Sequence, residues 1–201
     1  MTALETLNQT VFLRLNADLS TAAWKIDLAA AMAEYLIYVV PLILLGLWCW
    51  GNESRRALAL KACVVALVAL GINQLLSVGW PHPRPFMIGL GHTFIPHAAD
   101  SSFPSDHITV FAAIGLTLVF ANIRSLAGWA TLLLGACVAW ARIFLGVHFP
   151  LDMVGAAAVA GAVWLGINPL WRLLGERITA VATAIYRTLL ARPIALGWMR
   201  R

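Results

Sequence analysis

Arginine, histidine and carboxylate side chains are concentrated in three short stretches of an otherwise apolar chain. The stretch ARIFLGVHFPLD contains Arg142, His148 and Asp152, FPSDH ends at His107, and PHPRPF contains Arg84. Two guanidinium groups suit the bidentate binding of an anion such as phosphate, and they would repel a bare metal cation. These residue types therefore predict an anion site, with no metal.

Histidines beside a bound phosphate can divide the roles of nucleophile and general acid. Asp152 follows His148 by four residues, so a helix starting between them would let the carboxylate fix the tautomer of the imidazole and raise its basicity. Pro104 and Pro150 fit the first turn of a helix, where a missing N–H costs nothing. Two helices would then direct their N-termini at the anion, and Ser105 would add a hydroxyl donor.

The elements that must position these residues are apolar helices. Of the 201 residues 61% are hydrophobic and 11% are charged, and the mean hydropathy is +0.83. A helix needs roughly 20 apolar residues to cross the hydrocarbon core, and five stretches qualify: residues 28–50, 57–79, 104–121, 126–146 and 150–171. We therefore predict an all-α, polytopic membrane helical bundle with about five transmembrane helices.

The distribution of apolar and polar stretches predicts one domain over residues 1–201. In residues 1–27 leucines recur at helical spacing, which indicates an amphipathic helix on the membrane surface, with a plain packing helix as the alternative. Residues 28–171 form the predicted transmembrane core. Residues 172–201 are predicted to be a cytoplasmic tail, with a sixth span as the alternative.

The distribution of lysine and arginine predicts the orientation. The formal net charge is +5, and the basic residues cluster after the first and third spans and in the tail. Such clusters belong on the cytoplasmic side, so the charge does not require a nucleic-acid partner. The polar stretches then follow span 2, begin span 3, follow span 4 and begin span 5. Because consecutive spans alternate in direction, all of these stretches are expected at the outer face.

The stretches RPF, PSDH and ARIFLGVHFPLD, in this order, resemble the three-part signature of the type 2 phosphatidic acid phosphatase (PAP2) superfamily. Its members include membrane lipid phosphatases and vanadium haloperoxidases, and the resemblance covers residues 28–171. The segment GHTFIPHAADSSFPSDH is most similar to bacterial undecaprenyl-diphosphate phosphatases of the bacitracin-resistance type. The resemblance implies removal of the terminal phosphate from an isoprenoid diphosphate carrier lipid, at the periplasmic side of a bacterial inner membrane.

The resemblance also implies a role for each site residue. His148 would attack the terminal phosphorus to form a phosphohistidine, and Asp152 would orient it. His107 would protonate the leaving oxygen and then activate water. The phosphate oxygens would be held by Arg84, Ser105 and Arg142. The scheme implies no metal and no other cofactor.

Three positions depart from the family pattern. Ser77 stands where the family has a lysine seven residues before the first arginine, and either His82 or a main-chain donor would have to replace that phosphate contact. Asp106 replaces the usual glycine, and it would have to point away, contact a cation or tune His107. Ala141 stands where serine is common, which removes a hydroxyl but no catalytic group.

Other interpretations concern single residues and the whole function. His92 and His97 are predicted to be interfacial residues, and Glu34, inside the first span, is either an interface residue or part of the site. Alternative functions are a phosphatase for phosphatidic acid or phosphatidylglycerol phosphate, a lipid phosphotransferase, a membrane cytochrome, and a lipid-binding or transport protein. The expected partners are the isoprenoid diphosphate and membrane lipids, with no nucleic acid.

Overall fold

The computed structural model describes residues 2–200, and all regular structure in that part of the chain is helical. The α-helices are α1 (Ala3–Leu15), α2 (Ala23–Tyr35), α3 (Val39–Cys49), α4 (Glu53–Gly79), α5 (Asp106–Ala121), α6 (Leu126–Phe144), α7 (Pro150–Leu189) and α8 (Ala191–Ala195). Short 3-10 helices join α2 to α3 at Leu36–Tyr38 and interrupt the long loop at Pro85–Ile88. The predicted all-α class is confirmed.

Four helical segments are long and apolar enough to cross a membrane: Ala23–Cys49, which joins α2 and α3, and the helices α4, α6 and α7. α5 has only 16 residues, but it is apolar and packs against α4, α6 and α7 at the centre of the bundle. The predicted polytopic bundle of about five helices is therefore confirmed, with α5 as its short central member.

The helix α4 starts upstream of its predicted span, because a polar capping residue extends the helix beyond its apolar stretch. α4 begins at Glu53 because the Asn52 side chain accepts a hydrogen bond from the Arg55 backbone N–H at 3.0 Å. A search for apolar windows cannot include this charged first turn. The predicted start at residue 57 is therefore too late by one turn.

The helix α7 is longer than the predicted fifth span, which we expected to end at residue 171. Its 40 residues would extend about 60 Å, roughly twice the thickness of the hydrocarbon core. Most of the segment predicted as a tail is thus helical, and it packs back on the bundle: the Arg200 backbone N–H donates to the Cys49 carbonyl at 2.9 Å. The cytoplasmic position of this segment stays a prediction.

The helix α1 is present as predicted, and it ties the long loop (residues 80–105) to the bundle. Leu4 and Leu7, from the predicted leucine stripe, are exposed and not covered by protein. The contacts are made by residues that the pattern did not indicate. Phe12 packs edge-on against Phe149 with ring centroids 5.2 Å apart, and the Asn16 side chain donates to the carbonyls of His92 at 2.8 Å and of Phe144 at 3.0 Å.

The turn between α6 and α7 depends on a glycine. Gly146 has φ +82°, and a Cβ there would collide with the carbonyl oxygen of His92. We expect Gly146→Ala to lower the melting temperature in detergent by about 5 °C or more, because a left-handed backbone and a steric clash both oppose the substitution. The matched control is Gly161→Ala on α7, where a Cβ would meet no other atom. An unchanged melting temperature in Gly146→Ala would contradict this account.

Candidate active site

A cavity of about 300 Å³ lies at the end of the bundle that carries the long loop. Side chains from α4, α5, α6, the long loop and the α6–α7 turn line it. Five of the seven predicted site residues are among them: Arg84, Asp106, His107, Arg142 and His148. The other two, Ser105 and Asp152, are fully buried beside these residues. The structure therefore brings the three separate stretches together, as the alternation of span directions predicted.

His148 and Asp152 form a buried pair at the start of α7. His148 Nδ1 lies 3.1 Å from Asp152 Oδ2, and the side chains are 3% and 1% exposed. The same carboxylate accepts the Phe149 backbone N–H at 2.7 Å and the Ser102 hydroxyl. Because an ionised carboxylate only accepts hydrogen bonds, Nδ1 is assigned the proton and Nε2 keeps a lone pair. An imidazole in this state can act as a nucleophile.

Burial lowers the pKa of His148 to about 4, against the opposing hydrogen bond and charge of Asp152. The imidazole is therefore neutral at pH 7. A neutral ring is what a nitrogen nucleophile requires, since a protonated Nε2 has no lone pair.

Arg84 stands directly before the Pro85–Ile88 helix, and its side chain is buried. Its Nη1 lies 3.1 Å from His148 Nε2 and donates to the Val147 carbonyl at 2.9 Å. The guanidinium therefore faces the nitrogen that keeps the lone pair. A phosphoryl group approaching Nε2 would meet this positive charge.

Arg142 lies in the last turn of α6, where it faces two histidines. Its Nη1 is 3.5 Å from His107 Nε2, and its Nη2 is 3.0 Å from His97 Nε2. Within residues 2–200, the buried Nε of Arg142 and the buried hydroxyl of Ser105 have no hydrogen-bond partner. Unsatisfied buried donors are rare, and two of them beside a cationic cavity fit the binding of an anion.

Asp106 lines the cavity and, within residues 2–200, forms no salt bridge. Its two carboxylate oxygens accept hydrogen bonds from Asn73 Nδ2 at 2.8 Å and from Gln74 Nε2 at 3.2 Å. Neutral amide groups of α4 thus hold this carboxylate. Its influence on His107 stays a prediction.

The position of the missing family lysine is occupied by Ser77, which lines the cavity and donates to the Phe103 carbonyl at 3.4 Å. His82 does not reach the cavity, because its ring packs against Trp80 and lies 4.0 Å from the carboxylate of Glu5 on α1. Of the two alternatives for this contact, the structure therefore does not support His82, and the main-chain donor stays a prediction.

Among the titratable side chains that line the cavity, two were not predicted to belong to the site: His97 and Asp100. His97 was predicted to be interfacial, which is wrong, since it contacts Arg142 inside the cavity. His92 and Glu34 are exposed and do not line the cavity. The segment HAAD, residues 97–100, lies within the stretch that resembles the bacitracin-resistance subfamily and could have indicated both residues. A loop has no periodicity, however, from which to infer where its side chains point.

The residues that could bind a metal do not form a ligand cluster. In the described part of the chain, no group of three or more histidine, cysteine, aspartate or glutamate side chains is arranged to hold an ion. Each of the three cavity histidines instead faces a guanidinium group. The arrangement fits an anion between two arginines.

Known proteins resemble this chain in sequence and in fold. The model of the PAP2 superfamily matches residues 58–176. The Escherichia coli (strain K12) protein YbjG is 38% identical over 197 residues, which are 98% of this chain and 99% of that protein. The undecaprenyl-diphosphatase BcrC of Bacillus subtilis (strain 168) is 36% identical over 165 residues, 81% of this chain and 84% of that protein.

Among solved structures, the chain resembles the PAP2-type phosphatidylglycerolphosphate phosphatase from Bacillus subtilis. The TM-score is 0.63 at 17% identity, and the match covers 87% of this chain and 89% of the other. That similarity shows a shared fold. Since the family model matches more than half of the sequence and YbjG aligns with nearly all of it, this chain belongs to the PAP2 superfamily and is a membrane enzyme.

Proposed function

We propose that the chain hydrolyses undecaprenyl diphosphate, releasing the terminal phosphate at the outer face of the bacterial inner membrane. The observation that carries this proposal is the free Nε2 of His148, which faces the Arg84 guanidinium at 3.1 Å and is backed by buried Asp152. The similarity to an undecaprenyl-diphosphatase of Bacillus subtilis supports the choice of lipid. The clusters of basic residues at the opposite ends of the helices support the orientation.

The first chemical step is attack by His148 Nε2 on the terminal phosphorus. The N–P bond forms as the bond between phosphorus and the bridging oxygen breaks, and His107 gives its proton to that leaving oxygen. The charge of the bound diphosphate favours the protonated form of His107 before the step. Arg84, Arg142 and the Ser105 hydroxyl stabilise the charge on the three equatorial oxygens.

The second step regenerates the enzyme. Neutral His107 takes a proton from water, the resulting hydroxide attacks phosphorus, and the N–P bond to His148 breaks. Inorganic phosphate leaves, and His107 again carries the proton that the next cycle needs. Asp152 keeps the His148 ring in one orientation through both steps.

The size and surroundings of the cavity support a lipid substrate. A volume of about 300 Å³ holds a diphosphate but not a long isoprenoid chain. On the part of α4 that lines the cavity, Leu75 and Val78 are 74% and 83% exposed, so apolar surface adjoins the polar opening on this side. The hydrocarbon chain of the substrate would remain in the bilayer while its head group enters the cavity.

A substrate panel tests the proposed function. Purified protein in detergent is assayed for phosphate release from undecaprenyl diphosphate, farnesyl diphosphate, phosphatidic acid and phosphatidylglycerol phosphate, each with and without EDTA. We expect the highest kcat/KM for undecaprenyl diphosphate, by at least about tenfold over the two glycerolipids, because only in a diphosphate does the bridging oxygen leave as part of a second phosphate and not as an alcohol. A preference for either glycerolipid would refute the assigned substrate.

A further inference from the structure

A five-residue segment of the long loop, residues 97–101, contacts both arginines of the cavity. His97 Nε2 lies 3.0 Å from Arg142 Nη2, and Asp100 Oδ1 accepts a hydrogen bond from Arg84 Nε at 2.8 Å. The two arginines come from different elements, one from the loop and one from the end of α6. One short segment therefore connects the two cations of the site.

The contacts of Arg84 account for all of its donors. A guanidinium has five N–H groups. Nε and Nη2 meet Asp100 Oδ1, each at 2.8 Å, and Nη2 also donates to the Ser101 carbonyl at 3.2 Å. Nη1 donates to the Val147 carbonyl and faces His148 Nε2. Asp100 thus fixes the plane of the guanidinium, and the one N–H that meets neither a carboxylate nor a carbonyl is directed at His148 Nε2.

The contact to Arg142 requires a particular form of His97. His97 Nδ1 lies 3.2 Å from the Ala98 carbonyl, which can only accept, so Nδ1 carries the proton and Nε2 accepts from Arg142. Partial burial and the charge of Arg84 lower the pKa of His97, which favours this neutral form. His97 therefore acts here as an acceptor that orients a cation.

We propose that Asp100 and His97 are positioning residues of the phosphate site, Asp100 holding Arg84 and His97 holding Arg142 at the spacing that fits a phosphoryl group. The proposal rests on the proposed function in taking a phosphoryl group as the anion. It adds to the three motif stretches a fourth segment, whose residues act through the arginines and not on the substrate. Two independent contacts, one to each arginine, support the proposal.

Single substitutions measure each contact. We expect Asp100→Ala to lower kcat/KM for phosphate release on the order of 30-fold and His97→Ala on the order of 10-fold, the range for a hydrogen bond to a charged group. Asp100→Asn and His97→Gln each keep an oxygen acceptor near the lost atom, so each should recover most of the loss. His92→Ala is the matched control, since this loop histidine is exposed and does not line the cavity.

A double-mutant cycle separates positioning from direct substrate contact. If Asp100 acts through Arg84, Asp100→Ala has no further effect in an Arg84→Ala background but keeps its full effect in an Arg142→Ala background. His97→Ala shows the reverse pattern. Radiolabelled substrate keeps the low rates measurable. If the losses in kcat/KM of the two single substitutions multiply in all four double variants, the proposal is overturned.

Orthovanadate binding, measured by calorimetry in detergent, tests the proposal independently of the lipid. The anion resembles the phosphoryl group, and we expect its Kd to rise about tenfold or more in Asp100→Ala and in His97→Ala. If the wild-type protein binds vanadate but hydrolyses no undecaprenyl diphosphate, the proposed substrate is wrong while these shifts still support positioning. Unchanged Kd values for vanadate would overturn the positioning proposal. Tighter binding in Asp100→Ala would also overturn it, because Asp100 would then compete with phosphate for Arg84.

Discussion

Replacing His148 by alanine is expected to abolish phosphate release from undecaprenyl diphosphate, with a fall in kcat of at least about 10⁴-fold. The other two cavity histidines are not equipped to take over the attack. All three have Nε2 next to an arginine, at 3.1 Å in His148, 3.5 Å in His107 and 3.0 Å in His97. Among these three rings, His148 is the one whose Nδ1 meets a buried carboxylate.

The measurement has two parts. Phosphate release is followed with radiolabelled substrate, and the reaction is quenched in base to trap a phosphoprotein that is stable in base and labile in acid. We expect the label in the wild-type protein and none in His148→Ala. His82→Ala is a suitable control, because His82 lies outside the cavity. A His148→Ala protein that keeps its melting temperature and more than a tenth of its activity would exclude the phosphohistidine.

Replacing Asp152 by asparagine should have the second largest effect, a fall in kcat on the order of 10²- to 10⁴-fold. The carboxylate accepts three donors: the His148 ring, the Phe149 backbone N–H and the Ser102 hydroxyl. All three donors meet one oxygen, Oδ2, so an amide of the same shape can offer its oxygen there but carries no charge. The imidazole would lose the charge that strengthens its hydrogen bond and that stabilises the positive charge developing on the ring during attack.

A pH profile distinguishes this role of Asp152 from a purely structural one. Its hydrogen bond and charge raise the pKa of His148 against the dominant effect of burial, so their loss moves that pKa further below about 4. Activity requires neutral His148, which exists above its pKa. In Asp152→Asn the fall of kcat/KM on the acid side should therefore shift to lower pH. Ser102→Ala, which removes one neutral donor, should cost no more than about tenfold. A shift toward neutral pH would contradict the assignment.

The sequence could predict that the motif residues lie close together, because two simple regularities determine at which end of the bundle each residue lies. Apolar length shows how many spans there are and roughly where each lies, and alternating direction then assigns His107, Arg142 and His148 to one end of the bundle. Proline marked the first turn of α7, where Pro150 stands as expected. These signals are local and do not depend on the packing of distant segments.

His97 and Asp100 could not be predicted because their directions depend on distant contacts of the long loop. The loop is fixed by the Asn16 amide on α1, and by a hydrogen bond from the Ser102 backbone N–H to the His82 carbonyl at 2.7 Å. No helical or strand periodicity indicates such contacts. The length of α7 escaped prediction for another reason: charged residues beyond residue 171 end an apolar window without ending a helix.

The order of synthesis separates Arg84 from two of the groups that it contacts. Its partners Val147 and His148 follow 63 and 64 residues later in the chain. At the pace of translation, that interval is on the order of several seconds. In the emerging polypeptide the long loop is made before the α6–α7 turn against which it packs. The proposed anion site is therefore complete only after α6 and the start of α7 have been synthesised. A chain that stalls after α5 would carry two of the three motifs and no functional site.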